Sequence, residues 1–293
     1  MKRLQAEPAY RVGARLAEGP VWDAASGRLL FVDIFDGRLY RAIDDSTVEL
    51  VFEIDDDLGA AMPAADGSML LATGRGFSVL DADGSLHTLL DVFDGRPDLR
   101  FNDAKIDPVG RCLAGTASHS DAPADAALMR LAAGPSVDEL VTGVGLSNGL
   151  GWSPDGRMFY YTDTFSGRVD RFAYDPDNGD LFTRNDFVAE APGAPDGLCV
   201  DDTGCVWIAL WEGGEIHRYT PDGTLDTVVT LPVPHITSCA FGGDDGGTLF
   251  ITTGRGALTS DDLARIPHVG DVFAVRPGVA APPATPWQPV GRA

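Results

Sequence analysis

Apolar and polar positions alternate along this chain in short bursts. Apolar runs of four to six residues, rich in β-branched and aromatic side chains, are cut off by DG, PDG, GG and SG turns. That pattern predicts half-buried strands joined by tight turns. No stretch holds a helical period for three turns; SDDLARI at 260–266 is the best candidate for a short helix. The runs LLFVD, MLLAT, CLAGT, MFYYT, VWIAL and LFITT follow the turn glycines Gly27, Gly67, Gly110, Gly156, Gly204 and Gly247. Those glycines lie 40, 43, 46, 48 and 43 residues apart. Six residues beyond them stand Asp33, Thr73, Thr116, Thr162, Leu210 and Thr253. A second unit of polar turn plus strand usually follows, as in DGRLYR, GRVDRFAY, GGEIHRY and GDVFAV. A period of this length, made of several short strands, predicts one blade per repeat: an all-β, six-bladed β-propeller around a central channel.

The sixth repeat ends after its third strand, GDVFAV. Residues 8 to 16 are then free to supply the missing outer strand against 271–276, which removes an exposed sheet edge. The expected organisation is a single domain over 1–293. Residues 8–277 form the propeller, and 278–293 form a Pro-rich tail (ending PPATPWQPVGRA) whose removal should matter little.

Counting back from the turn glycines brings out candidate chemistry. Eight residues earlier lie Asn102, Asn148 and Asp196 in three successive repeats. The first repeat, with one extra turn residue, gives Glu18; the second gives Gly59; the sixth gives Ser238, counted from Gly246. The innermost strand of each blade runs along the channel, so these positions form a ring around one axis. Two carboxylates and two amides converge there, beside small residues. A water-filled polar lining is the default reading of such a ring. Against it stands the cost of facing carboxylates buried without a basic partner, and no Lys or Arg holds a ring position. A hard divalent cation would relieve that cost through oxygen ligands. Trp22 and Trp152, four residues after their ring positions, read as core between blades.

Composition narrows the classes. The chain has 22 basic and 44 acidic residues, a formal charge of −22, which disfavours nucleic acid and anionic membranes as partners. No run of 18 apolar residues occurs and the N-terminus lacks an apolar signal core, so a cytoplasmic monomer is expected. Cys112, Cys199, Cys205 and Cys239 lack paired C-x-x-C spacing, which argues against a thiolate zinc site. Cys199 and Cys205 flank the turn VDDTG; they read as buried thiols, with a cross-strand disulfide as the alternative. The G-x-S-x-G match at Gly145–Gly149 runs straight into another strand, so Ser147 is not read as a nucleophile. Asp175–Asp180 has the look of a calcium loop without its downstream Glu and reads as a hairpin turn. Asp55-Asp56-Asp57 is either a solvated loop or part of the channel rim.

The stretches LAEGPVWD, RFNDAKIDPVGRCLAGT, LSNGLGWSPDGRMFYYTDT, PDGLCVDDTGCVWIALW and TSCAFGGDDGGTLFITTGR resemble the gluconolactonase/regucalcin (senescence marker protein) family. The resemblance covers about residues 10 to 277, with five motifs in order. It implies a six-bladed propeller with one divalent metal in the channel and hydrolysis of sugar lactones. By that resemblance Glu18, Asn148 and Asp196 are the metal ligands, with Asp196 also the base. Asn102 lies beside metal and substrate, Asp103 adds to the site, and Arg100 corresponds to a substrate-binding arginine. A salt bridge on the rim is the structural alternative for Arg100. One departure concerns the third blade, where animal members carry acidic residues after GT and this chain reads Gly115-Thr116-Ala117-Ser118-His119-Ser120. That places His119 in a substrate-facing stretch. His235 could reach the channel mouth, with a rim hydrogen bond as its default role.

The expected activity is metal-dependent opening of a small sugar lactone, with no nucleic-acid or membrane partner. The cation is calcium, zinc, manganese, magnesium or iron(II), among which oxygen ligands do not choose. Two other classes stay open: an organophosphate-type phosphotriesterase on the same scaffold, and a non-catalytic, regucalcin-like calcium-binding protein.

Overall fold

The computed structural model describes residues 1–119, 126–132, 134, 136–256 and 258–289. Among them the strands form six sheets. Blade one comprises Ala17–Asp23, Arg28–Asp33, Arg38–Ala42 and Val48–Glu53, each strand antiparallel to the next. The same meander recurs from Leu58–Pro63, Leu99–Ile106, Ser147–Trp152, Ala194–Val200 and Ile236–Gly242, the innermost strands of blades two to six. Each innermost strand packs against those of its two neighbours, and that of blade six against that of blade one, which closes the ring.

Closure uses the N-terminus as expected, slightly displaced. Glu7–Tyr10 pairs antiparallel with Val272–Val275 as the outer strand of blade six. Val12 and Gly13 N–H then donate to the Asp271 carboxylate at 2.8 and 3.0 Å. Lys2–Gln5 adds an unexpected fifth strand to blade five, parallel to Leu225–Thr230. The short helix forms at Ser260–Arg265, capped by Thr259 and Asp262.

The core is divided by the blades. Each of the six buried apolar clusters fills one seam, for example Phe31, Leu29 and Phe250 between blades one and six. Trp22 stacks on Phe250 of blade six at 5.9 Å, and Trp152, edge-on to Tyr174 of its own blade at 5.8 Å, packs against the cluster between blades three and four. Their remaining surface opens into the channel.

The tail departs from expectation. It does not hang free but crosses the channel end at which the turn glycines lie. Asp202 N–H donates to the Ala280 carbonyl and Ala281 N–H to the Gly246 carbonyl, at 2.9 and 3.2 Å. On the opposite side Trp287 N–H donates to the Pro63 carbonyl and Gln288 N–H to the Gly110 carbonyl, at 2.8 and 3.1 Å. Trp287 is 2% exposed, sunk among Met62, Leu70 and Ala64. An indole burying that much apolar surface outweighs the ordering of a proline-stiffened segment. Composition marked the segment as loose; one aromatic residue fixes it. Residues 290–293 lie outside the described residues.

Candidate metal and substrate site

The ring positions are built by one local device repeated six times. Every innermost strand carries a register shift at or beside its ring position: Glu18/Val21, Leu58/Ala60, Phe101/Asp103, Asn148/Leu150, Pro195/Leu198 and Ile236/Ser238. A bulge of this kind re-aims a side chain and ends the regular ladder. The backbones approach so closely there that glycine is needed after the ligand position. A Cβ on Gly149 would lie 2.6 Å from the Asp196 carbonyl oxygen, and one on Gly197 would lie 2.1 Å from Ser238 Oγ. The loops leading into the ring are tied down by buried carboxylates. Asp33 accepts Arg15 and Leu16 N–H at 2.8 and 3.0 Å ahead of Glu18. Asp163 accepts Gly145 and Leu146 N–H at 3.2 Å ahead of Asn148.

Glu18, Asn102, Asn148, Asp196 and Ser238 are all buried. Asn148 Nδ2 donates to Thr164 Oγ1 at 3.0 Å, and Thr164 Oγ1 donates to the Pro195 carbonyl at 2.7 Å. That chain fixes the amide, leaving Asn148 Oδ1 without a partner. Asp196 Oδ1, Asp103 Oδ2 and Ser238 Oγ are also buried and unpartnered. Asn102 is held at both ends: Nδ2 donates to the Ser147 carbonyl at 3.0 Å, and Oδ1 accepts from Arg100 Nη1 at 2.8 Å.

The electrostatics match this crowding. Burial, then the charge of Asp103, pushes the Glu18 carboxyl from its usual 4.5 up to about 8, although Gly19 N–H donates to it at 2.7 Å. Burial, then Glu18 and Asp103, lifts Asp196 well above the carboxylate range. Asp103 is raised by burial, with Lys105 opposing. Burial thus resists the ionisation of all three, and neighbouring carboxylates add to it for Glu18 and Asp196. Four orphaned oxygens and a mutually repelling set of acids fit a hard cation. Among the described residues no three His, Cys, Asp or Glu side chains cluster as a metal site, so neutral oxygens such as Asn148 Oδ1 or Ser238 Oγ would have to join the carboxylates in any ligand set here.

Arg100 is not a surface residue: it is 6% exposed, binds Asn102, and lies 3.4 Å from Asp57. His119 Nδ1 stands 3.5 Å from the same Asp57 Oδ2, with its side chain 43% exposed. The acidic run therefore belongs to the rim through Asp57. Phe35 lies between the Arg15 and Arg100 guanidiniums, at 5.3 and 5.2 Å from its ring centre. His235 stacks on Trp211 at 4.2 Å and its Nδ1 lies 3.2 Å from the Arg255 carbonyl, a structural rim role. Ser120, the end of the His119 stretch, lies outside the described residues.

Ser147 Oγ is buried and accepts from Tyr161 O–H at 2.6 Å, a structural hydrogen bond with no base beside it. Asp175–Asp180 forms the hairpin turn. The thiols are free, and Cys199 faces Cys239 of the next blade at 3.5 Å in place of Cys205. Two residues of the site escaped the sequence. Thr164 occupies the position at which other repeats have Phe35, Arg75, Ser118, Glu212 and Arg255, so the repeat marks nothing there. Lys105 reaches the channel from three residues past Asn102 and donates to the Leu198 carbonyl.

Comparison with known proteins places the chain in a family. The pattern of the SMP-30/Gluconolactonase/LRE-like region matches residues 16–255. The chain belongs to the SMP-30/gluconolactonase/LRE-like family. Regucalcin of Danio rerio is 35% identical over 94% of this chain and 95% of its own length. Pentonolactonase XacC of Haloferax volcanii is 39% identical over 83% of this chain and 82% of its own. The crystal structure of a calcium-binding protein, regucalcin, from Agrobacterium tumefaciens superposes with a TM-score of 0.93 at 24% identity, over 99% of this chain and 100% of that one. At that identity the superposition speaks for the fold. This member of the family has no helix among the described residues long and apolar enough to cross a membrane.

Proposed function

We propose that this chain hydrolyses a small sugar lactone at the ring, with one divalent cation held by Glu18, Asn148 and Asp196. The observation that carries the reading is the set of buried, unpartnered oxygens on Asn148, Asp196, Asp103 and Ser238 among carboxylates that repel one another. When bound, a cation there supplies a Lewis acid and the positive charge that lets Glu18 and Asp196 ionise. Asp196 takes the proton from the attacking water. Asn102, locked by Arg100 and the Ser147 carbonyl, presents a fixed amide to the substrate rather than one that must be ordered on binding. Arg100 and His119, both on Asp57, face the sugar hydroxyls from the rim.

A sugar is favoured over a phosphotriester because charged and hydroxyl-binding groups, rather than a purely apolar mouth, surround the ring. The kinship with a pentonolactonase supports the same class. A purely cation-binding protein would use the same oxygens without turnover. A panel of five- and six-membered lactones, assayed after chelation and re-addition of each candidate metal, separates these readings. Turnover restored by one cation and lost in Asp196→Ala supports hydrolysis. Cation binding with no turnover on any lactone overturns it.

A further inference from the structure

The channel does not end at the carboxylate ring. Beyond it, residues one to six places after the ring positions line a half-open cavity of about 270 Å³, roofed by Ala281–Thr285 of the C-terminal strap. Its walls are mainly apolar, with Trp22, Met62, Trp152 and Phe241 the largest. Among the described residues the sole basic side chain on it is Lys105, and the sole acidic residue is Asp201. Asp201 is turned away: its carboxylate accepts from Thr203, Cys205, Trp207 and Arg218. Lys105 donates to the Leu198 carbonyl and forms no ion pair among the described residues, although its charge acts on Glu18 and Asp103 on the ring side. Two of its three N–H groups are left for another acceptor. Trp152 Nε1 is buried with no partner.

This lining offers donors without a free acid, inside an apolar shell, in a protein whose formal charge is −22. We propose that the far half of the channel is a second ligand site, distinct from the ring, for an apolar carboxylate: a short alkyl or aryl chain bearing one anionic head. The carboxylate pairs with Lys105, and the chain lies against Trp22, Trp152 and Phe241. Charge complementarity selects an anion, because a half-buried ammonium without an ion pair gains most from one. The shell selects an apolar body, which a sugar acid lacks. Room for about nine waters at about 30 Å³ each sets the size at roughly ten non-hydrogen atoms. Both ends of the strap are hydrogen-bonded to opposite blades, so the roof is fixed over a half-open cavity.

The test uses octanoate as probe and 1-octanol as its uncharged counterpart, on full-length, metal-supplemented protein, by calorimetry and tryptophan fluorescence. Octanoate should bind saturably and at least about tenfold more tightly than octanol, which corresponds to one charge-assisted contact. The fluorescence change should shrink in Trp152→Phe. Lys105→Met should weaken octanoate at least about tenfold and leave octanol unaffected. Ala240→Leu, which fills the half-buried wall, should weaken both probes; it decides the matter if Lys105→Met does not fold. Equal affinity for the two probes, or octanoate binding indifferent to Ala240→Leu, overturns the proposal. So does the absence of saturable heat up to roughly 10 mM.

Discussion

Replacing Thr164 by Val isolates the link between fold and metal. Thr164 Oγ1 accepts from Asn148 Nδ2 at 3.0 Å and donates to the Pro195 carbonyl at 2.7 Å, so one hydroxyl aligns two of the three proposed ligands. Valine keeps the shape and loses both hydrogen bonds. Each buried group left without its partner costs about 1–3 kcal/mol. Because the site is only partly closed, the net loss of stability should sit near the lower end, about 2 kcal/mol. The effect on the cation is separate. Without its anchor the Asn148 amide can turn its NH2 towards the channel, and loss of such an outer partner typically weakens a metal site about 10- to 100-fold. Thr164→Ser keeps the hydroxyl and should bind metal as the wild type does. The assay is competition with a chromophoric chelator at fixed pH. Melting in excess chelator is measured alongside, so that affinity and folding are read independently. If Thr164→Val melts lower in chelator yet binds the cation within roughly threefold of wild type, Thr164 is purely structural and the assignment of Asn148 as ligand loses its support.

Three further outcomes are expected. In chelator, stability should fall as pH rises from about 4.5 towards 8, because folded Glu18 retains a proton that the unfolded chain releases in that window; Glu18→Gln should flatten the profile, and a wild-type profile already flat in melting temperature would refute the burial argument. Arg100→Ala should lower kcat/KM about 10- to 150-fold, since its charged hydrogen bond holds Asn102, whereas exposed His119→Ala should mainly reorder the preference between five- and six-membered lactones; unchanged ratios in both would remove them from the pocket. Trp287→Ala should cost about 3–5 kcal/mol in denaturant unfolding, comparable to losing a core aromatic, and removal of residues 1 to 14 should lower both melting temperature and bound metal; an unshifted midpoint for Trp287→Ala would show that the strap does not hold by its indole.

The amino-acid pattern alone was enough for the propeller, its six-fold division and the equivalence of the ring positions. These follow from local rules: strand periodicity, turn glycines and a constant spacing from turn to ring, which put Glu18, Asn102, Asn148 and Asp196 at equivalent places. The glycines that follow Glu18, Asn148 and Asp196 recur in the same repeats. Tertiary structure alone decided which unequal positions meet. Arg100 is buried because Asn102 and Asp57 happen to flank it, and Thr164 matters because its blade places it between Asn148 and Pro195. Cys199 faces Cys239 across a seam rather than Cys205 across a turn. Lys105 reaches the Leu198 carbonyl, and Trp287 finds a slot among Met62 and Leu70 that no linear pattern announces. Repeats fix the directions of strands and side chains because those depend on neighbours in sequence. Contacts between blades depend on the sizes and charges of side chains brought together only when the ring closes.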